Sequence, residues 1–362
     1  MKVLFLTPWY PSERDAMEGL FVQKHVEAVR AQGIDVRVIY SRTLRDTWRQ
    51  WHVLRCEGWM PDLVLLNVIQ KQGLLALRLQ ARYGIPYAIL EHWSGYLPEN
   101  GAFMRMPLYK RLMARYIGRK AKIILTVSQT LQQAMRACGI EAKQWETVDN
   151  VVDGFFFEHS EVSVQNSERQ KTLVNITCFD EQAKNVKGLL RAAKMLSEKR
   201  QDWRLVLIGT GKDFDEVHAY ADALQLPAGL IEWTGELSPR EVAERLKQAD
   251  AFVLSSRYET YGVVLAEAAA AGVPILSTPV GIAEEVADLI VPQEVAQHKA
   301  GLFAEFIETI LWQPEQLTKQ KPDTERFTAE AIGKKLKTIF FTFYLHKSKK
   351  SCNFAADFGN KT

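Results

Sequence analysis

The sequence predicts two doubly wound α/β domains in succession, and three observations carry that prediction. Short β-branched or apolar runs alternate with longer segments of helical period, the pattern of parallel sheets covered by helices. The alternation occurs twice, on either side of a polar stretch at residues 158–171 that lacks a clear period. The length of 362 residues also exceeds what one core fills, since single cores stop growing near roughly 250–300 residues.

The first half opens with a strand over residues 3–7 and a helix over 19–32, whose apolar Leu20, Val26, Ala28 and Val29 recur at helical spacing. Gly33 stops that helix, and residues 36–40 form the second strand. Further strands are expected at 63–67, 87–91 and 123–127. The segment Val-Asp-Asn-Val-Val-Asp-Gly at 148–154 closes this half, so the first domain is placed at 1–155 and the second at 170–325. In the second, strands are expected at 172–177, 204–209, 231–234, 251–255 and 274–278, with helices at 186–199, 238–248 and 260–271. A terminal helix over 326–346 is expected to pack back on the first domain. Residues 347–362 read as a loose, polar tail.

Apolar residues make up 47% and charged residues 25% of the chain, which excludes disordered and fibrous classes. Residues 1–150 carry 21 basic against 13 acidic side chains, and residues 151–330 carry 18 against 29. The first segment includes Lys110, Arg111, Arg115, Arg119, Lys120 and Lys122 on a segment that reads as a helix. A solvated helix face and peripheral contact with anionic lipid head groups or a lipid-linked acceptor both fit this charge. No nucleic-acid-binding motif accompanies it, so nucleic acid is not an expected partner. Cys56, Cys138, Cys178 and Cys352 show no metal or redox spacing, which suits a reduced compartment. No run approaches the roughly 18 apolar residues of a membrane span. A cytoplasmic location is expected, with the basic helix at the inner face of the membrane.

The chemistry concentrates in the segment from Ala251 to Glu267. Glu259 falls in a strand-to-helix loop and Glu267 within the following helix. Amides at Thr260, Tyr261, Gly262 and Val263 would present N–H groups to a bound diphosphate, which the helix dipole favours. Glu259 would then stand beside the group on the distal phosphate, and Glu267 could accept from the hydroxyls of a ribose. Two glutamates at this spacing occur by chance in many chains, so spacing alone decides little.

The flanks are more specific. From Ser256 through Ile275 the chain matches S-x-x-E-x-(F/Y)-G-x-x-x-x-E-A-x-A-x-G-x-P-(V/I), and in this it resembles the family 4 glycosyltransferases, retaining enzymes of the GT-B fold. The resemblance implies two Rossmann-like domains facing a central cleft. It implies a hexosyl-type transfer from a nucleoside-diphosphate sugar to an acceptor hydroxyl of a glycan or lipid-linked acceptor, in surface polysaccharide or lipopolysaccharide synthesis. Neither a cofactor nor an obligatory metal is implied.

Position by position, Lys184-Asn185 matches the family's diphosphate-binding lysine pair, while the arginine usual about five residues earlier is absent from Thr177-Cys178-Phe179-Asp180. Lys187 is a candidate to replace that charge. Residues 11–21 resemble the family's glycine loop, with Gly19 allowing close backbone approach. Glu91-His92-Trp93-Ser94 resembles the segment that ends a central strand, so His92 is a catalytic candidate beside Glu259 and Lys184. Gly209 reads as a strand-ending turn at the border of the base site. Gly235 and Leu237 resemble the segment whose backbone meets the base. Two further readings stay open: a catalytically silent binding partner of an active transferase, and a sugar-nucleotide hydrolase or epimerase.

Overall fold

The computed structural model describes residues 1–13, 15, 17–158, 170–317 and 322–358. The chain divides into two compact units, one of Met1–Val151 with Arg326–Thr362 and the other of Val152–Glu325. Most of the polar stretch read between the domains lies outside the described residues.

In the first unit, β1 (Lys2–Thr7), β2 (Asp35–Tyr40), β3 (Leu63–Asn67), β4 (Tyr87–Glu91), β5 (Ile124–Thr126) and β6 (Trp145–Thr147) form one sheet in the order β2-β1-β3-β4-β5-β6. Every pair is parallel. A parallel sheet is covered on both faces, which is why β3 and β4 are buried at every position and read as continuous apolar runs. Val22, Val26 and Val29 of helix Leu20–Ala31 pack in the same core as Ile332, Leu336, Ile339 and Phe340 of the terminal helix. That terminal helix runs Ala329–Phe358, so residues 347–358 of the segment read as a loose tail are helical. Beyond Gly333 no glycine or proline interrupts the helix before Gly359, and lysine and alanine support a helix. Residues 359–362 lie outside the described residues.

In the second unit, β7 (Lys171–Ile176), β8 (Trp203–Ile208), β9 (Ile231–Gly235), β10 (Ala251–Leu254), β11 (Ile275–Ser277) and β12 (Leu289–Ile290) follow the order β12-β11-β10-β7-β8-β9. All are parallel. The order reverses between β7 and β10, and a crevice opens at the carboxyl ends of strands wherever this happens. Helices Val186–Ser197 and Ala300–Trp312 cover the sheet through Leu189, Leu190, Phe303 and Ile307. The second of these helices was not anticipated from the sequence.

Candidate active site

The switch point of the second unit gathers the predicted donor residues. After β7 the chain turns through Phe179, at φ 41°, into the short helix Glu181–Lys184, capped by the Asp180 carboxylate. Lys184 ends that helix. After β10, Ser255 donates to the Lys184 carbonyl at 3.0 Å and the Arg257 amide donates to Ala183 O at 2.7 Å. These bonds tie the two strand ends together and set Lys184 Nζ 2.5 Å from Glu259 Oε1. Ser256 Oγ donates to the same oxygen at 2.9 Å. Burial by itself would lower the Lys184 ammonium, but the Glu259 carboxylate together with Cys178 and Asp180 more than offsets it, and the net shift is upward.

Gly262 adopts a left-handed φ of 77° as the N-cap of helix Val263–Ala270. The helix begins three residues later than expected because this turn has to finish first, which leaves Glu259 in a loop. As at any helix start, the first amides lack intrahelical acceptors. Val263, Val264 and Glu267 are the half-exposed positions of an otherwise buried helix, so Glu267 shares the open strip with the helix start. Tyr261 is buried and offers the site only its backbone.

Other predicted residues have structural roles. Asn185 is fully buried, with Nδ2 donating to Ala296 O at 3.1 Å and Oδ1 accepting from Arg257 at 2.9 Å. Its side chain is thus engaged within the fold, and what it does for the Lys184-Asn185 pair is to fix the turn that follows Lys184. A Cβ at Gly209 would stand 2.0 Å from Thr177 O, and one at Gly211 1.6 Å from Cys178 O. Both glycines therefore let the end of β8 press on the loop that leads to Lys184. Gly235, at φ 69°, has open space where a Cβ would be, and Leu237 is half-buried beyond it. Lys187 does not replace the missing arginine: its Nζ pairs with Glu216 Oε1 at 2.5 Å and lies over the Tyr220 ring. Lys212, on the loop after β8, pairs with Asp180 at 3.2 Å. Sequence reasoning missed it, although it directly follows Gly209-Thr210-Gly211.

In the first unit, β4 ends at Glu91-His92. The Glu91 carboxylate accepts from the Ile69 amide at 2.9 Å and from the His92 and Trp93 amides at 3.0 Å, pinning the loop after β3 to the loop after β4. Burial pushes its pKa up to about 7, against the pull of these three donors. His92 lies 4.5 Å from Phe21 and 5.7 Å from His25, ring to ring. Burial and then His25 hold it well below the usual imidazole range, so the ring is neutral, and its buried Nε2 has no partner among the described residues. His25 is also buried, with Nδ1 2.7 Å from Phe21 O and Nε2 3.1 Å from Asp149 O. Gly19, at φ 69°, would place a Cβ 2.4 Å from the Trp9 backbone, so the close approach it allows is to its own chain.

Family models for glycosyl transferases group 1 and for the glycosyl transferase 4-like domain match residues 157–327 and 2–150. The chain belongs to the family 4-like glycosyltransferases. An N-acetyl-alpha-D-glucosaminyl L-malate synthase of Bacillus anthracis is 30% identical over 46% of this chain and 44% of its own length. A lipopolysaccharide 1,6-galactosyltransferase of Salmonella typhimurium is 29% identical, again over 42% of each. The chain thus spans less than half the length of these first curated relatives. Among solved structures, sucrose-phosphate synthase from Thermosynechococcus elongatus superposes with a TM-score of 0.75 at 16% identity, over 95% of this chain and 99% of that one. Anabaena HepE in complex with UDP-glucose gives 0.66 at 17% identity, over 96% and 100%. These likenesses show the GT-B fold. Within this family 4-like framework, Glu91, His25 and Lys212 are the residues that spacing did not reveal. Glu91 and Lys212 had visible signals, one immediately before His92 and the other immediately after Gly211; His25 had none.

Proposed function

We propose that this protein transfers a sugar from a nucleoside-diphosphate donor to an acceptor hydroxyl with retention of anomeric configuration, without an obligatory metal, in the synthesis of a surface glycan. The observation that carries this is the Lys184–Glu259 pair at the carboxyl ends of β7 and β10, beside the start of helix Val263–Ala270. A diphosphate placed there meets a held ammonium and a helix N-terminus, which are most effective where charge grows on the leaving group. Lys212 supplies the second cation in place of the absent arginine. Glu259 accepts from sugar hydroxyls, and Glu267 from the ribose. In the first unit the neutral His92 offers Nε2 to a sugar or acceptor hydroxyl. The family membership and the UDP-glucose complex of a structural neighbour support a nucleotide-sugar donor.

The test mixes purified protein with labelled UDP-, GDP- and ADP-sugars and reads nucleotide binding, turnover and product anomer, with and without EDTA. Lys184→Ala is expected to lower turnover by about 10²–10³-fold, the usual cost of losing one preorganised charge-stabilising contact. Binding of no nucleotide by the folded protein would sink the proposal.

A further inference from the structure

We infer that helix Leu108–Lys120 of the first unit, with the short helix Ala102–Arg105 before it, docks on an anionic lipid bilayer. The helix presents its apolar side chains to the outside. Leu108 is 58% exposed, Tyr109 67%, Leu112 52% and Tyr116 46%, and Met104 on the preceding helix is 54% exposed. At 3.6 residues per turn, Leu108, Tyr109, Leu112, Tyr116, Arg119 and Lys120 share one arc of about 120°. The opposite side is already satisfied: Ala114, Ile117 and Gly118 are buried, and Ile117 occupies the space beside Gly73. The exposed row therefore has no partner among the described residues. Clustered exposed apolar side chains of this kind mark a site of interaction.

The surrounding charge identifies the occupant. No Asp or Glu occurs between Glu99 and Glu141, while Lys110, Arg119, Lys120 and Lys122 are exposed. Arg119 and Lys120 lie 5.9 and 5.6 Å over the Tyr116 ring, which places cations at the edge of the apolar arc. Arg115 is not available, since its guanidinium donates to Cys138 O at 2.9 Å. A helix with apolar and tyrosine side chains outward and cations at the rim suits the boundary between acyl chains and anionic head groups, where each part is satisfied. A second copy of the chain fits poorly, because a two-fold interface would bring the same basic patch against itself. Nucleic acid would use the cations but leave the leucines unsatisfied.

The inference stands apart from the proposed transfer, because its assay needs no donor. The full chain is sedimented with vesicles of phosphatidylcholine alone and with vesicles that also contain phosphatidylglycerol. Wild type is expected to pellet with the anionic vesicles only, and less so at raised salt. Leu112→Glu with Tyr116→Glu is expected to abolish pelleting. Arg119→Glu with Lys120→Glu is expected to weaken it by about tenfold or more, and this second pair stays informative if the first perturbs folding by circular dichroism. The inference is overturned if wild type stays in the supernatant with anionic vesicles, or if both pairs of variants pellet as wild type does. It is equally overturned if the chain is a dimer in solution that Leu112→Glu dissociates.

Discussion

At the scale of single residues, two carboxylate arrangements, one buried and one partly exposed, organise the carboxyl ends of the two sheets. Glu259 is matched to Lys184, so its charge is compensated before any ligand arrives. Glu91 has no cation beside it among the described residues, only three amides, and burial raises it to about 7 from an ordinary 4.5. Between those values the folded chain keeps a proton that the unfolded chain has released, so this group's contribution to stability falls as pH rises and levels off above about 7. At roughly 1.36 kcal/mol per unit the loss amounts to about 3 kcal/mol. His92 and His25, both lowered by burial, act in the opposite sense, losing stability as pH falls below their ordinary 6.5. Glu91→Gln isolates the carboxyl, since it cannot ionise. The stability advantage of wild type over Glu91→Gln, from denaturant unfolding, is expected to shrink between pH 4.5 and 7; a constant difference would mean that Glu91 is ionised throughout. Gly211→Ala tests the neighbouring strand end. Its Cβ would stand 1.6 Å from Cys178 O, so the loop to Lys184 has to move, at about 3 kcal/mol for overpacking. Both a lower melting temperature and weaker nucleotide binding are expected.

At the scale of elements, ten of the twelve strands were legible to within a residue or two because parallel strands buried on both faces are written as apolar runs, while the short, half-buried β6 and β12 at the sheet edges were not anticipated. Helix ends were less so. The expected helix over 260–271 in fact starts at Val263, and the difference is functional: three more residues stay in the loop that holds Glu259. The helix Ala300–Trp312 escaped notice because Ala300, Gly301, Leu302, Phe303 and Ala304 run together without a polar face to give the period. Helix Leu108–Lys120 shows the limit of reading charge alone. Its basic residues were visible, but the row of exposed Leu and Tyr is ordinary in sequence, where an outward leucine looks the same as an inward one.

At the scale of the whole molecule, the chain leaves its first unit near Val151 and returns to it at Arg326. The returning helix is part of that unit's core. Ile332, Leu336 and Phe340 are buried there, and a Cβ at Gly333 would meet Ala28 O at 2.4 Å. Burying each such large side chain contributes roughly 1.5–3 kcal/mol, so together they rival the 5–15 kcal/mol that holds a typical domain. A chain ending at residue 325 is therefore expected to lose the calorimetric transition of the first unit while keeping that of the second. Two unchanged transitions would contradict the assignment of the helix to that core.

The sequence by itself determined the α/β class, the two-unit plan and the family 4 segment from Ser256 to Ile275, because these rest on local period and on residues close together in the chain. It could not determine that Lys184 meets Glu259, that Arg257 and Asn185 satisfy each other, or that Lys187 turns away to Glu216. Those partners lie tens of residues apart, and which of them meet depends on the order of strands in the sheet. The same holds for Glu91, whose buried carboxylate takes its meaning from the Ile69 amide on the neighbouring strand's loop. Local spacing records what a residue can do, and the packing of β7 against β10 decides what it faces.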